Sequence, residues 1–248
     1  MCHLIKENRL FLDSMFFKRI NPELNFVTDI HSHILPGIDD GAEKLDDSID
    51  MIEGLLELKL KNLYFSPHIN SNKFLNTDRS IKEKYELLKN ELIKRDIRIK
   101  TNICAEYFID TSFRQSAVSG NKFICLPFDH VLVETSLIQK SMILSPVIFE
   151  LREKGFIPIL AHPERYLYFK KEDFRDLKRM GCRFQLNMLS LVGYYGKSVK
   201  GNARELVKES MIDFAGTDLH NKYQIKYLKN KRLINEINAI NVRNDIFL

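Results

Sequence analysis

The chain is 248 residues long, 44% hydrophobic and 29% charged, with a formal net charge of +5. That is enough chain to enclose one large core, and the charge is too mild and scattered to mark a nucleic-acid partner; the densest basic runs, IKRDIRIK over 93–100 and KNKRL over 229–233, read as solvated helix faces. No apolar run approaches the roughly 18 residues of a membrane-spanning helix, and the four cysteines, at 2, 104, 125 and 182, are not closely paired, so a cytoplasmic protein with free thiols and no membrane insertion is expected.

The first twenty residues, MCHLIKENRLFLDSMFFKRI, are broken by charges every few positions and lack the apolar centre of a signal peptide. Residues 1–25 are expected to be an amphipathic lead-in to one domain over 26–248. Short apolar runs follow in order: FVTDI, NLYFSP, IKTNICAEYF, HVLVET, IPILAHP, RFQLN and IDFAGTD. They are rich in β-branched and aromatic residues, as buried strands should be. Between them lie segments with helical spacing: LDDSIDMIEGLLELKLK, DRSIKEKYELLKNELIKR, SPVIFELREKG, KEDFRDLKRMG and ARELVKES. The first carries acids at its start and lysines at its end, matching the helix dipole. Gly155 and Gly181 read as helix stops. Strand–helix alternation in one undivided chain predicts a parallel sheet. No glycine-rich phosphate fingerprint follows the first strand, so a closed (β/α)7 TIM-like barrel is expected over an open nucleotide-binding sheet.

The polar residues then fall into register. His31 and His33 end the first strand, His68 the second, Glu106 the third, Glu134 the fourth, His162 the fifth, Asn187 the sixth, and Asp218 with His220 the seventh. In a parallel barrel these ends surround one mouth. Taken singly, a histidine at a strand end is more often structural than functional. The structural explanation must hold independently at each end, however, and it leaves imidazoles and carboxylates crowded without a counter-charge, which is what divalent cations require. His31 and His33, two apart on a strand, share a side, with Ser32 facing outward. In PGIDDGAEKLDDS, Gly37 and Gly41 permit a tight turn; spacing leaves open which of Asp39 and Asp40 faces the mouth. A set of histidines and carboxylates without thiolate suits Mn, Fe or Zn, and its size suits two or three ions.

DIHSHILPGIDDGA at 29–42, PH at 67–68, AEYF at 105–108, LAHPERY at 160–166, FQLNMLSLVGYYG at 184–196 and DFAGTDLHN at 213–221 together resemble the polymerase-and-histidinol-phosphatase superfamily. More closely, they resemble its bacterial manganese-dependent protein-tyrosine phosphatases of capsular and exopolysaccharide operons. The resemblance covers about residues 26–222. It implies a distorted seven-stranded barrel with a trinuclear centre, usually manganese. Carried over, one ion would take His31, His33, Glu106 and Asp218; a second Glu106, Glu134 and His162; a third Asp40, His68 and His220. Arg165 matches the family's phosphate-binding arginine. Where several relatives have a second arginine after the last histidine motif, this chain offers Lys222 and Lys226, which lack bidentate geometry. Glu134 and Asp40, where histidinol phosphatases usually have histidine, favour the tyrosine-phosphatase branch, with a bacterial tyrosine kinase as the partner. Arg165, His162 and Asp218 would be catalytic. No C-x5-R loop for a cysteinyl-phosphate route is present. The alternatives are a small-molecule phosphatase such as one for histidinol phosphate, and a metal-binding module of polysaccharide assembly without turnover.

Overall fold

The computed structural model describes residues 23–248, so the lead-in expected over 1–25 lies outside the described residues apart from its last three. Nine strand segments follow: β1 (Thr28–Asp29), β2 (Asn62–Phe65), β3 (His68–Ile69), β4 (Lys100–Ile103), β5 (Glu106–Phe108), β6 (His130–Glu134), β7 (Ile157–Ala161), β8 (Arg183–Asn187) and β9 (Phe214–Gly216). All pair in parallel, in the orders β1-β2-β4 and β3-β5-β6-β7-β8-β9.

These two sheets are one ring interrupted twice. β2 and β3 are halves of one run, broken at Ser66–Pro67, where proline has no N–H to offer a ladder. β4 and β5 are halves of another, broken at Cys104–Ala105. Pairing continues across both gaps, since Cys104 N–H donates to Phe65 O at 3.0 Å and Glu106 N–H to Pro67 O at 3.1 Å. The seven expected strands are therefore all present, and two of them are bent at the mouth.

Eight helices cover the ring among the described residues: α1 (Leu45–Leu56), α2 (Asp78–Lys94), α3 (Thr111–Ser119), α4 (Leu144–Glu153), α5 (Lys171–Arg179), α6 (Lys197–Lys208), α7 (Ile225–Leu228) and α8 (Lys231–Asn238). α1 stops earlier than the helical spacing of LDDSIDMIEGLLELKLK predicts; Leu58 and Leu60 stay buried but belong to the turn into β2. Three stretches outside the expected helices, α3, α7 and α8, also fold as helix. α3 starts where the Asp110 carboxylate accepts from Phe113 N–H at 2.8 Å, and it buries only Phe113 and Ala117. α8 buries Leu233, Ile234 and Ile237.

Side-chain alternation divides the apolar residues into two cores. Leu132, Ile159, Ala161 and Phe214 point into the ring with Ile30, Tyr64 and Cys104, and Phe247 from the chain's end closes the layer from below. Val131, Val133, Leu160, Phe184, Leu186 and Ala215 point out to the helices. His130, at the start of β6, packs edge-on against Phe214 and Phe247 at the closed end, away from the mouth.

The ring closes where the first strand meets the last. Asp218 N–H donates to His31 O at 2.8 Å and His33 N–H to Leu219 O at 2.9 Å. Below this seam the buried Asp29 carboxylate accepts from Thr217 Oγ1 at 2.5 Å and Thr217 N at 3.1 Å. Burial pushes the Asp29 carboxyl up to about 6, against the pull of the Thr217 hydrogen bonds. A carboxyl pKa raised by folding contributes stability on the acid side that is lost as pH rises through the folded value. Above about pH 6 the carboxylate is therefore buried as an anion that depends on Thr217. Replacing Thr217→Val should cost about 1–3 kcal/mol at pH 8 and distinctly less at pH 5, read as the difference from wild type in urea unfolding at the two pH values. An equal cost at both would contradict this account of the seam.

Candidate metal centre

The strand ends deliver their polar residues to one cleft of about 590 Å³. At its base lies Glu106, fully buried. Its Oε2 is 3.3 Å from His31 Nε2, 3.4 Å from His33 Nε2 and 3.0 Å from His68 Nδ1, while Oε1 is 3.1 Å from His162 Nε2. Asp218 Oδ1 lies 3.4 Å from His31 Nε2, 3.3 Å from His33 Nε2 and 3.4 Å from His220 Nδ1. Glu134 Oε1 is 3.1 Å from His68 Nδ1; Asp40 Oδ1 is 3.3 Å from His68 Nε2 and 3.6 Å from His220 Nε2. Four groups hold ligand atoms within 4.8 Å of one another: His33, Asp40, His68 and His220; His31, His33 and Asp218; His31, Glu106 and His162; and His68, Glu106 and Glu134. Glu134 thus groups with His68 here, where the resemblance pairs it with His162.

The imidazoles are oriented from behind. Gln185 donates its amide N–H to Leu186 O at 2.8 Å, which leaves Gln185 Oε1 to accept from His31 Nδ1 at 2.7 Å. His33 Nδ1 meets the Asp39 carboxylate at 2.8 Å, and His220 Nδ1 meets the Asp218 carbonyl at 2.9 Å. Each of these Nδ1 atoms must be the donor, so each Nε2 presents a lone pair to the cleft. The two lone pairs of His31 and His33 face each other at 3.1 Å. Glu106 Oε2, His68 Nδ1 and His162 Nδ1 are buried without a well-aligned hydrogen bond. Opposed lone pairs and an unsatisfied buried carboxylate are unstable without a cation between them, and the residues present fit a divalent ion.

The balance of charges makes the same demand. Burial opposes charging His31, but Glu106 and Asp218 outweigh it and raise its pKa. Burial alone would raise the carboxyl of Glu106, yet His31 and His68 hold it well below the usual range. His162 is lowered, by burial and then by the Arg165 charge.

The loop after β1 settles the choice between its aspartates. Asp39 turns inward, accepting from His33, from Gly41 N–H at 3.0 Å and from His68 N–H at 3.1 Å. Asp40 faces the cleft and also meets Lys73 at 3.0 Å. The loop lies directly on the His33 backbone: a Cβ at Gly41 would fall 1.9 Å from His33 O. Ser32 does turn from the cleft, but it is buried and donates to Tyr64 O at 3.0 Å. Strict alternation would send His162 outward beside Leu160. The left-handed backbone at His162, φ +35°, turns it back to the mouth, and Asp218 is held at φ +48°; non-glycine residues rarely adopt such angles unless their surroundings enforce them.

Arg165 stands over this base. Its Nη1 donates to Asp218 Oδ2 at 3.2 Å and its guanidinium stacks 4.6 Å above the Tyr195 ring. Asn187 Nδ2 donates to the same Asp218 oxygen at 2.8 Å, which leaves Oδ1 for the imidazoles. The backbone N–H of Asn187 is held by buried Glu164, whose carboxyl burial pushes up to about 7. Asp39, Gln185, Glu164 and Tyr195 were not identifiable from strand-end spacing. Lys222 and Lys226 do not line the cleft, contrary to their expected role: Lys222 pairs with Asp50 of α1 at 2.6 Å, and Lys226 lies over the Tyr227 ring. The lysine in the cleft is Lys73.

A closed parallel barrel with histidines and carboxylates converging at the carboxyl ends of its strands defines the class, a TIM-like metal-dependent hydrolase. Within that class the chain belongs to the CpsB/CapC family of capsular polysaccharide synthesis, whose family model matches residues 27–232. It is 31% identical over 204 residues to the tyrosine-protein phosphatase YwqE of Bacillus subtilis, covering 78% of this chain and 77% of that one. It is 26% identical over 207 residues to the tyrosine-protein phosphatase CpsB of Streptococcus agalactiae, covering 78% and 82%. A solved structure described among YwqE from Bacillus subtilis and CpsB from Streptococcus pneumoniae, unique metal-dependent tyrosine phosphatases, matches with a TM-score of 0.75 at 26% identity, over 89% of this chain and 94% of that one. The fold alone is shared with a histidinol phosphate phosphatase from Lactococcus lactis, at a TM-score of 0.53 and 14% identity over 85% and 93%.

Because Gln185 fixes the His31 tautomer, Gln185→Leu should weaken divalent-metal binding by about 10- to 100-fold, the scale for partners that orient a ligand. Calorimetric titration of the metal-stripped protein measures this, and binding should release protons, more of them as the pH is lowered towards the histidine range. Unchanged affinity in the variant would remove Gln185 from the centre.

Proposed function

We propose that this protein is a metal-dependent protein-tyrosine phosphatase, acting in the cytoplasm on a bacterial tyrosine kinase that regulates capsular or exopolysaccharide synthesis. The observation that carries the reading is the convergence of five imidazoles and four carboxylates on one cleft with Glu106 at its base, two lone pairs turned on one another. We assign His31, His33, Asp40, His68, Glu106, Glu134, His162, Asp218 and His220 as the residues that would hold two or three divalent ions. Manganese is the ion the family resemblance implies, and Fe or Zn suits the same nitrogen and oxygen set. The relatives' names support phosphotyrosine as the substrate. The free thiols of Cys104, Cys125 and Cys182 agree with a reducing compartment.

Bound divalent ions would supply Lewis-acid charge and a nucleophile from water at neutral pH. The chain's residues do the rest. Arg165, held between Asp218 and Tyr195, keeps guanidinium N–H groups for the phosphoryl oxygens and neutralises their charge as the P–O bond breaks. Its stacking on Tyr195 fixes the plane of the guanidinium before substrate arrives. Asn187 and Arg165 saturate one oxygen of Asp218, so its other oxygen stays directed at His31 and His33. Phe108, Leu137 and Ile138 line the upper cleft and offer apolar surface to a phenyl ring. A phenolate leaving group has a pKa of about 10, so it departs with less help from an acid than an alkoxide needs.

Side-by-side assays of the manganese-loaded protein on a phosphotyrosine peptide, histidinol phosphate and single-stranded DNA test this. Phosphotyrosine should be strongly preferred; preference for histidinol phosphate would overturn the reading, and metal binding without any turnover would make the protein a non-catalytic module. His162→Ala should abolish turnover while the circular dichroism spectrum is retained. Arg165→Lys should lower kcat on the order of a hundredfold, the scale for losing one positioned donor to the transition state.

A further inference from the structure

A second cavity, of about 350 Å³, opens beside the mouth and outside the ring. It lies between residues 69–78, the end of β5, α3 and residues 121–123. Tyr107, Phe113 and Phe123 form its aromatic floor, with ring centroids 5.1 to 5.3 Å apart. Leu75, at its rim, is 76% exposed. Asn70, Phe74 and Phe108 line this cavity and the cleft alike, so one layer of side chains separates the two. The dividing loop is held in place: Asn70 N–H donates to Phe74 O at 2.9 Å, Phe74 stacks on His68, and Ser71 is tied to Asp110 by two hydrogen bonds.

We infer that this cavity is a second substrate pocket, taking an aromatic side chain two residues from the phosphotyrosine on the same extended polypeptide. This rests on the phosphotyrosine reading above. In an extended chain, side chains at i and i+2 leave the same side, about 6.6 Å apart at 3.3 Å per residue. That separation spans a wall one ring thick. A phosphotyrosine lowered to the base of the cleft therefore places such a neighbour over the adjoining cavity. The volume is at the small end for ligand pockets, room for one side chain. The three-ring floor selects an aromatic occupant, which meets it edge-to-face or offset. A small phosphomonoester fills the cleft alone and gains nothing from the pocket.

Contact remote from phosphorus acts equally on ground and transition states, so it lowers KM and leaves kcat unchanged. The test compares phosphotyrosine peptides carrying Phe two residues before or two residues after the phosphotyrosine with their Ala counterparts, on the manganese-loaded full chain. One of the two Phe peptides should show a KM about tenfold lower than its Ala counterpart, the scale of one buried aromatic contact, at equal kcat. Ser116→Trp, which fills the cavity from α3, and Leu75→Asp, which charges its rim, should each erase the difference. Neither should alter turnover of p-nitrophenyl phosphate. Should Ser116→Trp fail to fold, Leu75→Asp, at an exposed position, decides alone. Equal KM for both Phe peptides and their Ala counterparts, or a preference that survives the variants, overturns the pocket while the phosphatase reading stands. Failure to hydrolyse any phosphotyrosine peptide, with another phosphomonoester turned over, overturns the phosphatase reading and the pocket with it.

Discussion

Glu106 is the constraint around which the molecule is arranged. A carboxylate at full burial is unfavourable unless cations surround it, and four imidazoles stand within 3.4 Å of its two oxygens. They come from the ends of three different strands of the barrel, His31 and His33 sharing the first. A parallel barrel brings segments as far apart in the chain as His31 and His162 to one point, with their strands running in the same direction. The fold's apolar interior serves this: the layer of Leu132, Ile159, Phe214 and Phe247 supports the polar floor from below and keeps water from the far side.

The demands of that point are visible in the backbone. His162 and Asp218 adopt left-handed angles although both carry side chains and Pro163 follows one of them. Pro163 disfavours the right-handed helical region for His162, and an extended conformation would aim the imidazole at the helices. The left-handed solution is what remains once the side chain must reach Glu106. Close approach is the second expense. A Cβ at Gly216 would meet His31 Cβ at 2.8 Å and Gln185 Nε2 at 2.7 Å, so β9 can lie against the oriented histidine only as glycine. Strain and tight packing thus sit on the same rim as the chemistry, as expected where function over-determines local structure.

Much of this was legible in the residue order. Parallel strands buried on both faces read as short apolar runs, and a charged residue at the end of such a run stands out. That is why His31, His33, His68, Glu106, Glu134, His162, Asp218 and His220 fall on one mouth from residue order alone. The supporting residues escaped because their chemistry is ordinary. Gln185 is a neutral amide inside a strand, and only its fixed bond to Leu186 makes it an acceptor for His31. Asp39 and Asp40 are indistinguishable by spacing; the hydrogen bonds of one to His33, Gly41 and His68 exist only once the loop has folded onto β3. α3 escaped because a helix that buries two residues carries little periodic signal. Lys222 misled because it is near His220 in sequence. The turn after Asn221 carries its side chain to the acids of α1, a neighbour that chain order does not reveal.

That displacement of Lys222 changes how the cleft holds charge. Of the described residues lining it, only Lys73 and Arg165 are lysine or arginine, and Lys73 is already paired with Asp40 on an open face. A phosphate dianion entering the cleft therefore finds one positioned guanidinium. The remaining compensation has to come from whatever cations occupy the histidine–carboxylate base. The same carboxylates that gather those cations would repel the substrate if the base were empty. Cation binding and phosphate binding are thereby coupled through Asp218, which faces the imidazoles with one oxygen and Arg165 with the other. Cations at the base are therefore a condition for the cleft to receive a phosphate dianion.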